Sequence, residues 1–218
     1  YHGGGLELWT ELYAGFGLVP APAGNTGVQM GGWFNKEINS VDDLKGLKMR
    51  IPGLGGEVLK QAGGTPVLLP GGEIFPSLQS GAIDATEWVG PYNDMAFGLY
   101  KAAKYYYYPG WHEPGTTLEC FVNKKALEAL PKDLQAIVLN AAKVANLDML
   151  ADFTARNNAA LETLVTEHGV ELRQFPDEVL IKLKGLSDQV VAEVAKKDPM
   201  SKKVYESFRK FRDQAIAW

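Results

Sequence analysis

Residues 131 to 169, PKDLQAIVLNAAKVANLDMLADFTARNNAALETLVTEHG, carry one helical pattern with nothing inside it that would stop a helix. Pro131 suits its first turn and Gly169 its end, and Leu134, Ile137, Val138, Ala141, Val144 and Leu147 recur at spacings of three and four. At about 1.5 Å per residue the segment reaches roughly 55 Å. That exceeds one compact lobe, so the helix must brace two lobes or reach a partner chain.

The chain ahead of this helix reads as alternating short elements. A helix (LELWTELYAGFG) leads into extended LVPAPAG (18 to 24), and a Gly-rich turn enters a strand over 25 to 34. A short helix capped by Ser40 (40 to 46) precedes the strand LKMRIPG, closed by Pro-Gly. Helices at 55 to 63, 73 to 82 and 91 to 104 then alternate with strands at 65 to 71, 85 to 89 and YYYYPG from 105. This βαβα order predicts an α/β fold whose sheet is mostly parallel with helices on both faces. After the long helix, VELRQFP (170 to 176) reads as a strand, and two amphipathic helices without a terminal cap follow.

With 218 residues and 46% apolar composition, the chain can bury a large core, as one large domain or two interlaced lobes. A net charge of −4 with scattered Lys and Arg argues against a nucleic-acid partner. The single cysteine, Cys120 in TLECFVNK, reads as a small buried hydrophobe on a strand and rules out an internal disulfide. No apolar run approaches the about 18 residues that a membrane span needs. The chain starts at Tyr1 without a visible signal peptide, which leaves a mature start and a truncated fragment both open.

Chemistry concentrates in GAIDATEWVGPYND (81 to 94) and YYYYPGWHEPG (105 to 115). Glu87 and Glu113 sit at strand ends beside aromatic surface, where a carboxylate is costly unless something positive accompanies it. Arg50 ends the strand LKMR, the place where ligands of open α/β sheets collect, and its guanidinium is shaped to grip a carboxylate with two parallel bonds. If the two acids share a cleft, they repel unless a cation or a shared proton intervenes. Two carboxylates, one guanidinium and a monocarboxylate ligand leave two negative charges over, which a divalent ion cancels and a monovalent ion halves. Oxygen donors favour a hard ion, Na⁺ or Ca²⁺, over zinc. His112, between Trp111 and Glu113, reads as a packing or hydrogen-bonding residue ahead of a metal ligand. Trp33, Trp88 and Trp111 suit core and pocket wall equally, and two of Tyr105 to Tyr108 should line the core and two the cleft or surface. The Gly-rich stretches GGW, GLGG and PGG match no dinucleotide or phosphate loop and indicate no nucleotide cofactor.

These residues resemble a known family. The runs PAGNTGVQMGGWF and LKGLKMRIPGLGGEVLKQAGGTPVLLPGGEIFPSLQSGAIDATEWVGPYNDMAFGLYKAAKYYYYPGWHEPG are similar to the solute-binding proteins of tripartite ATP-independent periplasmic (TRAP) transporters, in the branch for 2-oxo or 2-hydroxy monocarboxylates such as pyruvate or lactate. Trp88, where other branches carry Asn, points to this cation-assisted branch. The resemblance implies an interlaced two-lobe periplasmic-binding-protein fold with a long bracing helix, lacking the first part of lobe one. It divides the chain into a remnant of lobe one and a first hinge strand (1 to 21), lobe two (22 to 90), a return to lobe one (91 to 125), and the long helix with C-terminal helices flanking lobe two (126 to 218). It also implies a periplasmic receptor that closes on an organic anion and delivers it to a membrane permease. In that scheme Arg50 forks the ligand carboxylate with Asn25, Gln29 and Trp88 as further substrate contacts, and Gln29, Glu87, the Trp88 carbonyl and Glu113 hold a Na⁺ or Ca²⁺ ion. A metal-assisted lyase or aldolase acting on 2-oxo acids, with Glu87 or Glu113 moving the proton, is the alternative. A homodimer swapped through the long helix is a third reading.

Overall fold

The computed structural model describes residues 1–217. In chain order the elements are α1 Gly5–Ala14, β1 Leu18–Asn25, β2 Gly32–Phe34, β3 Lys48–Arg50, α2 Gly53–Gln61, β4 Thr65–Val67, α3 Gly71–Ser80, β5 Ala85–Thr86, α4 Pro91–Ala96, β6 Tyr105–Tyr108, β7 Thr117–Asn123, α5 Lys124–Glu128, α6 Lys132–Thr166, β8 Glu171–Gln174, α7 Asp177–Val194 and α8 Pro199–Ile216. Short 3-10 helices lie at Val41–Leu44 and Leu99–Lys101. The chain separates into two compact units, one comprising Tyr1–Asn25, Thr117–Leu150 and the chain from Val191, the other Thr26–Thr116 and Ala151–Val190. Residues 91–116 therefore stay with 26–90, and α6 contributes to both units.

In the first unit β1 and β7 form a two-stranded antiparallel ribbon, with Ala21 opposite Cys120. Cys120 is on a strand as expected but is exposed, not buried. The reason is that β7 pairs with β1 alone, and its neighbours Leu118 and Phe121 are exposed as well. Within α6, Ile137, Val144 and Leu147 of the apolar stripe are 61%, 66% and 67% exposed, so that stripe does not pack inside the unit. Helix α5 escaped the sequence reading because it is only five residues long; the Asn123 side chain caps it by accepting from the Ala126 N–H. Asp198 does the same for α8, accepting from the Ser201 N–H.

The second unit is built on a six-stranded sheet ordered β4-β3-β5-β2-β6-β8. Neighbours are parallel except where β2 runs against β5 and β6. Side chains alternate across the sheet. Phe34 and Tyr107 accordingly enter a core with Leu59, Phe175, Val179 and Leu183 on one face, while Trp33 and Tyr106 enter a core with Ile74, Leu78 and Leu164 on the other. Tyr106 and Tyr107 are thus both buried and Tyr105 and Tyr108 half-buried, which corrects the expectation of one core-facing and one open face. Strand β6 is interior to the sheet and covered on both sides.

The expected helix over 91 to 104 breaks after Ala96, because Gly98 adopts φ +70° and the chain restarts as a 3-10 turn. Gly32 has φ +125°, and a Cβ there would collide with the Thr86 carbonyl oxygen. Only glycine lets β2 lie so close to the end of β5.

Candidate functional site

Topology brings the singled-out residues of this unit to one edge of the sheet. Strands β3 and β5 are parallel, with Arg50 opposite Thr86, so Arg50 and Glu87 leave adjacent carboxyl ends. Strand β2 is antiparallel to its neighbours, so the segment leading into it, carrying Gln29, lies at that same edge. Strand β6 ends there too, passes through the cis Tyr108–Pro109 bond, and gives the loop with His112 and Glu113. Backbone bonds seal the arrangement: Glu87 N to Arg50 O at 3.2 Å, Gln29 N to Pro114 O at 3.2 Å and Met30 N to Val89 O at 3.1 Å. Gly110 packs so closely that a Cβ there would stand 2.7 Å from the Gln29 carbonyl oxygen.

Arg50 and Glu87 form a direct ion pair through Nη1 and Oε1. The guanidinium also donates to Leu69 O from Nε (3.3 Å) and lies 5.4 Å from the centre of the Trp88 ring, while Nη2 makes no hydrogen bond among the described residues. His112 Nε2 stands 3.3 Å from the other Glu87 oxygen. A carboxylate only accepts, so Nε2 carries the proton and donates. Glu113 accepts from the Thr116 hydroxyl, and that hydroxyl accepts from Gln29 Nε2 at 2.8 Å. Gln29 Nε2 also donates to Thr26 Oγ1 at 3.0 Å.

Both amide hydrogens of Gln29 are therefore spoken for, yet its Oε1 is buried without a partner. An orphaned buried carbonyl is costly unless something positive meets it. Glu87, His112 and Glu113 each offer an atom within 4.8 Å of the others. Two carboxylates and an amide oxygen suit Na⁺ or Ca²⁺. With Nε2 donating to Glu87, that nitrogen has no lone pair for an ion, and His112 stands in this group as a hydrogen-bond partner. Asn25 ends β1 in the first unit, paired with Thr117.

Three groups at the edge were not singled out from the sequence. Thr26 and Thr116 orient Gln29 and Glu113, and single threonines in loops give no signal of this. Asp94 is 1% exposed and accepts four hydrogen bonds, from Val89 N, Gly90 N, Trp33 Nε1 and the Tyr106 hydroxyl. Desolvation without a cationic partner raises its pKa to about 6, against the pull of those donors. Trp33 stacks on Tyr106 at 4.0 Å and is core, whereas Trp88 packs on Phe97 and Arg50. A groove of about 580 Å³ in the first unit, lined by Trp9, Leu12, Phe208 and Phe211, carries no carboxylate or guanidinium side chain.

Residues 10–198 match the family model described as bacterial extracellular solute-binding protein, family 7. The chain belongs to that family. It is 51% identical over all 218 residues to a monocarboxylate 2-oxoacid-binding periplasmic protein of Nostoc sp., of whose length it spans 60%. Among solved structures, a TRAP periplasmic solute-binding protein of Colwellia psychrerythraea with bound calcium and pyruvate matches the whole chain with a TM-score of 0.95 and 47% identity; the chain covers 66% of it. One from Pseudoalteromonas atlantica with bound sodium and pyruvate matches with a TM-score of 0.93 and 47% identity, again over the whole chain and 66% of that protein. This family 7 chain thus has the TRAP solute-binding fold, over a part of its relatives' length. No helix among its described residues is long and apolar enough to cross a membrane.

Proposed function

We propose that this chain is the substrate-binding component of a TRAP transporter, working in the periplasm. It takes a small 2-oxo or 2-hydroxy monocarboxylate, of the pyruvate or lactate class, with one Na⁺ or Ca²⁺ ion, and delivers it to the membrane permease. The observation that carries this reading is the orphaned Gln29 Oε1 at an edge where two carboxylates and one guanidinium already meet. Gln29, Glu87, the Trp88 carbonyl and Glu113 hold the cation. Arg50 orients the ligand carboxylate, with Asn25, Gln29 and Trp88 as further contacts. The pyruvate and the calcium or sodium of similar proteins support the pairing of a small acid with a hard ion.

Family membership favours this receptor over the lyase or aldolase alternative. Calorimetric titration of a monocarboxylate panel, with and without Na⁺ or Ca²⁺, separates the two. Saturable binding that depends on the cation and returns the acid unchanged supports the receptor; consumption of pyruvate supports the enzyme. The exposed stripe Ile137, Val144 and Leu147 on α6 supports a homodimer through that helix. A monomer mass in solution at micromolar concentration would remove that part.

A further inference from the structure

The peptide group joining Trp88 to Val89 is held from behind. Val89 and Gly90 donate their N–H groups to Asp94 Oδ1 at 3.1 and 3.0 Å, while Trp33 Nε1 and the Tyr106 hydroxyl occupy Oδ2 at 2.9 and 2.8 Å. A trans peptide is planar, so its C=O points away from its N–H. With the Val89 N–H turned onto Asp94, the Trp88 carbonyl is turned away from it. The flanking carbonyls are taken: Glu87 O accepts from Thr86 Oγ1 at 2.8 Å and Arg50 Nη1 at 3.4 Å, and Val89 O accepts from Met30 N at 3.1 Å. No described residue donates to the Trp88 carbonyl.

We propose that Asp94 is a positioning residue for the cation, locking the 88–89 peptide so that the Trp88 carbonyl oxygen is presented to a hard ion shared with Glu87. The inference rests on the reading of the site given above. A carboxylate accepting the N–H also polarises the amide, leaving more negative charge on its oxygen. The same side chain fixes Trp33 on β2, and Met30 N binds Val89 O, so Asp94 sets the spacing between the Gln29 segment and the 87–90 turn as well. Four dipoles stabilise its buried charge, and none of its partners is a cation.

Calcium titration of the full chain at fixed pyruvate tests this. Asp94→Asn should weaken the Ca²⁺ Kd by about tenfold or more, the usual effect of losing an outer-shell partner. Tyr106→Phe removes one Oδ2 partner and leaves the Val89 bond; it should lower the Tm and leave the Ca²⁺ Kd unchanged. A wild-type Kd in Asp94→Asn, or equal weakening in both variants, overturns the proposal. Amide exchange in the wild-type chain provides a second reading if Asp94→Asn does not fold. Val89 should be protected both without and with calcium, and protection that appears only on adding calcium would show that the ion, not Asp94, sets the peptide. If the wild-type chain binds no calcium or sodium with any acid, the site reading itself falls, and this proposal with it.

Discussion

Arg50 and Glu87 face each other as a buried ion pair at the carboxyl ends of the adjacent parallel strands β3 and β5, their side chains 11% and 3% exposed. Each is the other's counter-charge in the absence of ligand. On the proposed reading of the site, a cation that takes over Glu87 would release guanidinium donors toward the ligand carboxylate, and the ion pair would couple the two ligands.

Removing the arginine should therefore damage both stability and binding. Arg50→Ala leaves Glu87 buried and uncompensated, at a cost of about 3–5 kcal/mol, and should abolish the rise in Tm that pyruvate produces. The double variant Arg50→Met with Glu87→Met removes both charges and should recover most of the stability without recovering binding. Thermal unfolding with and without pyruvate reads both effects; a pyruvate-induced shift that survives in Arg50→Ala would count decisively against the assigned role.

Coupling between ion and acid must be reciprocal. Pyruvate should bind more tightly in calcium than after chelation, and calcium should gain affinity from pyruvate by the same factor, about 5–150-fold for typical couplings. Calorimetric titrations in both orders measure the two factors. A factor of one would mean that Glu87 does not change partners.

The buried Asp94 carboxyl predicts a pH signature. Its folded pKa of about 6 lies above the ordinary 3.8. Between these values the unfolded chain has released a proton that the folded chain retains, so this group's contribution to stability falls as pH rises through the window and levels off above it. The slope amounts to about 1.4 kcal/mol per unit of separation. Urea unfolding from pH 4 to pH 7.5 should show that decline in the wild-type chain and lack it in Asp94→Asn; parallel profiles would refute the assignment.

How far the sequence reached depended on whether the signal was local. Arg50 is legible because a short strand ended by Pro-Gly places its last side chain at a sheet edge, and the long helix is legible because its periodicity and its stop at Gly169 lie within one segment. Asp94 was missed because its partners come from β2, β6 and the 89–90 turn, and only the tertiary fold assembles them. The partner of His112 stayed hidden for a similar reason: the meeting with Glu87 across 25 residues needs β5 and β6 to end at one edge. Cys120 and the paired Tyr106 and Tyr107 failed differently. Alternation tells which residues share a face but not whether that face is covered, and β7 has one neighbour where β6 has two.

Glycines separate strain from slack. Gly32 combines φ +125° with a Cβ position that would overlap the Thr86 carbonyl, so Gly32→Ala must push β2 off β5 and disturb the edge that holds Gln29 and Glu87. It should destabilise by more than the about 1 kcal/mol of a compatible glycine change and weaken calcium binding together with stability. Gly185 sits within α7, exposed, without positive φ and with open space around its would-be Cβ. Gly185→Ala should stabilise by roughly 0.5–1 kcal/mol, since alanine loses less backbone freedom on forming helix, and should leave calcium binding untouched. Urea unfolding of the two variants measures the signs; a neutral Gly32→Ala would show that β2 can shift away from Thr86 at no cost, and the close approach of these strands would then not be what fixes the edge.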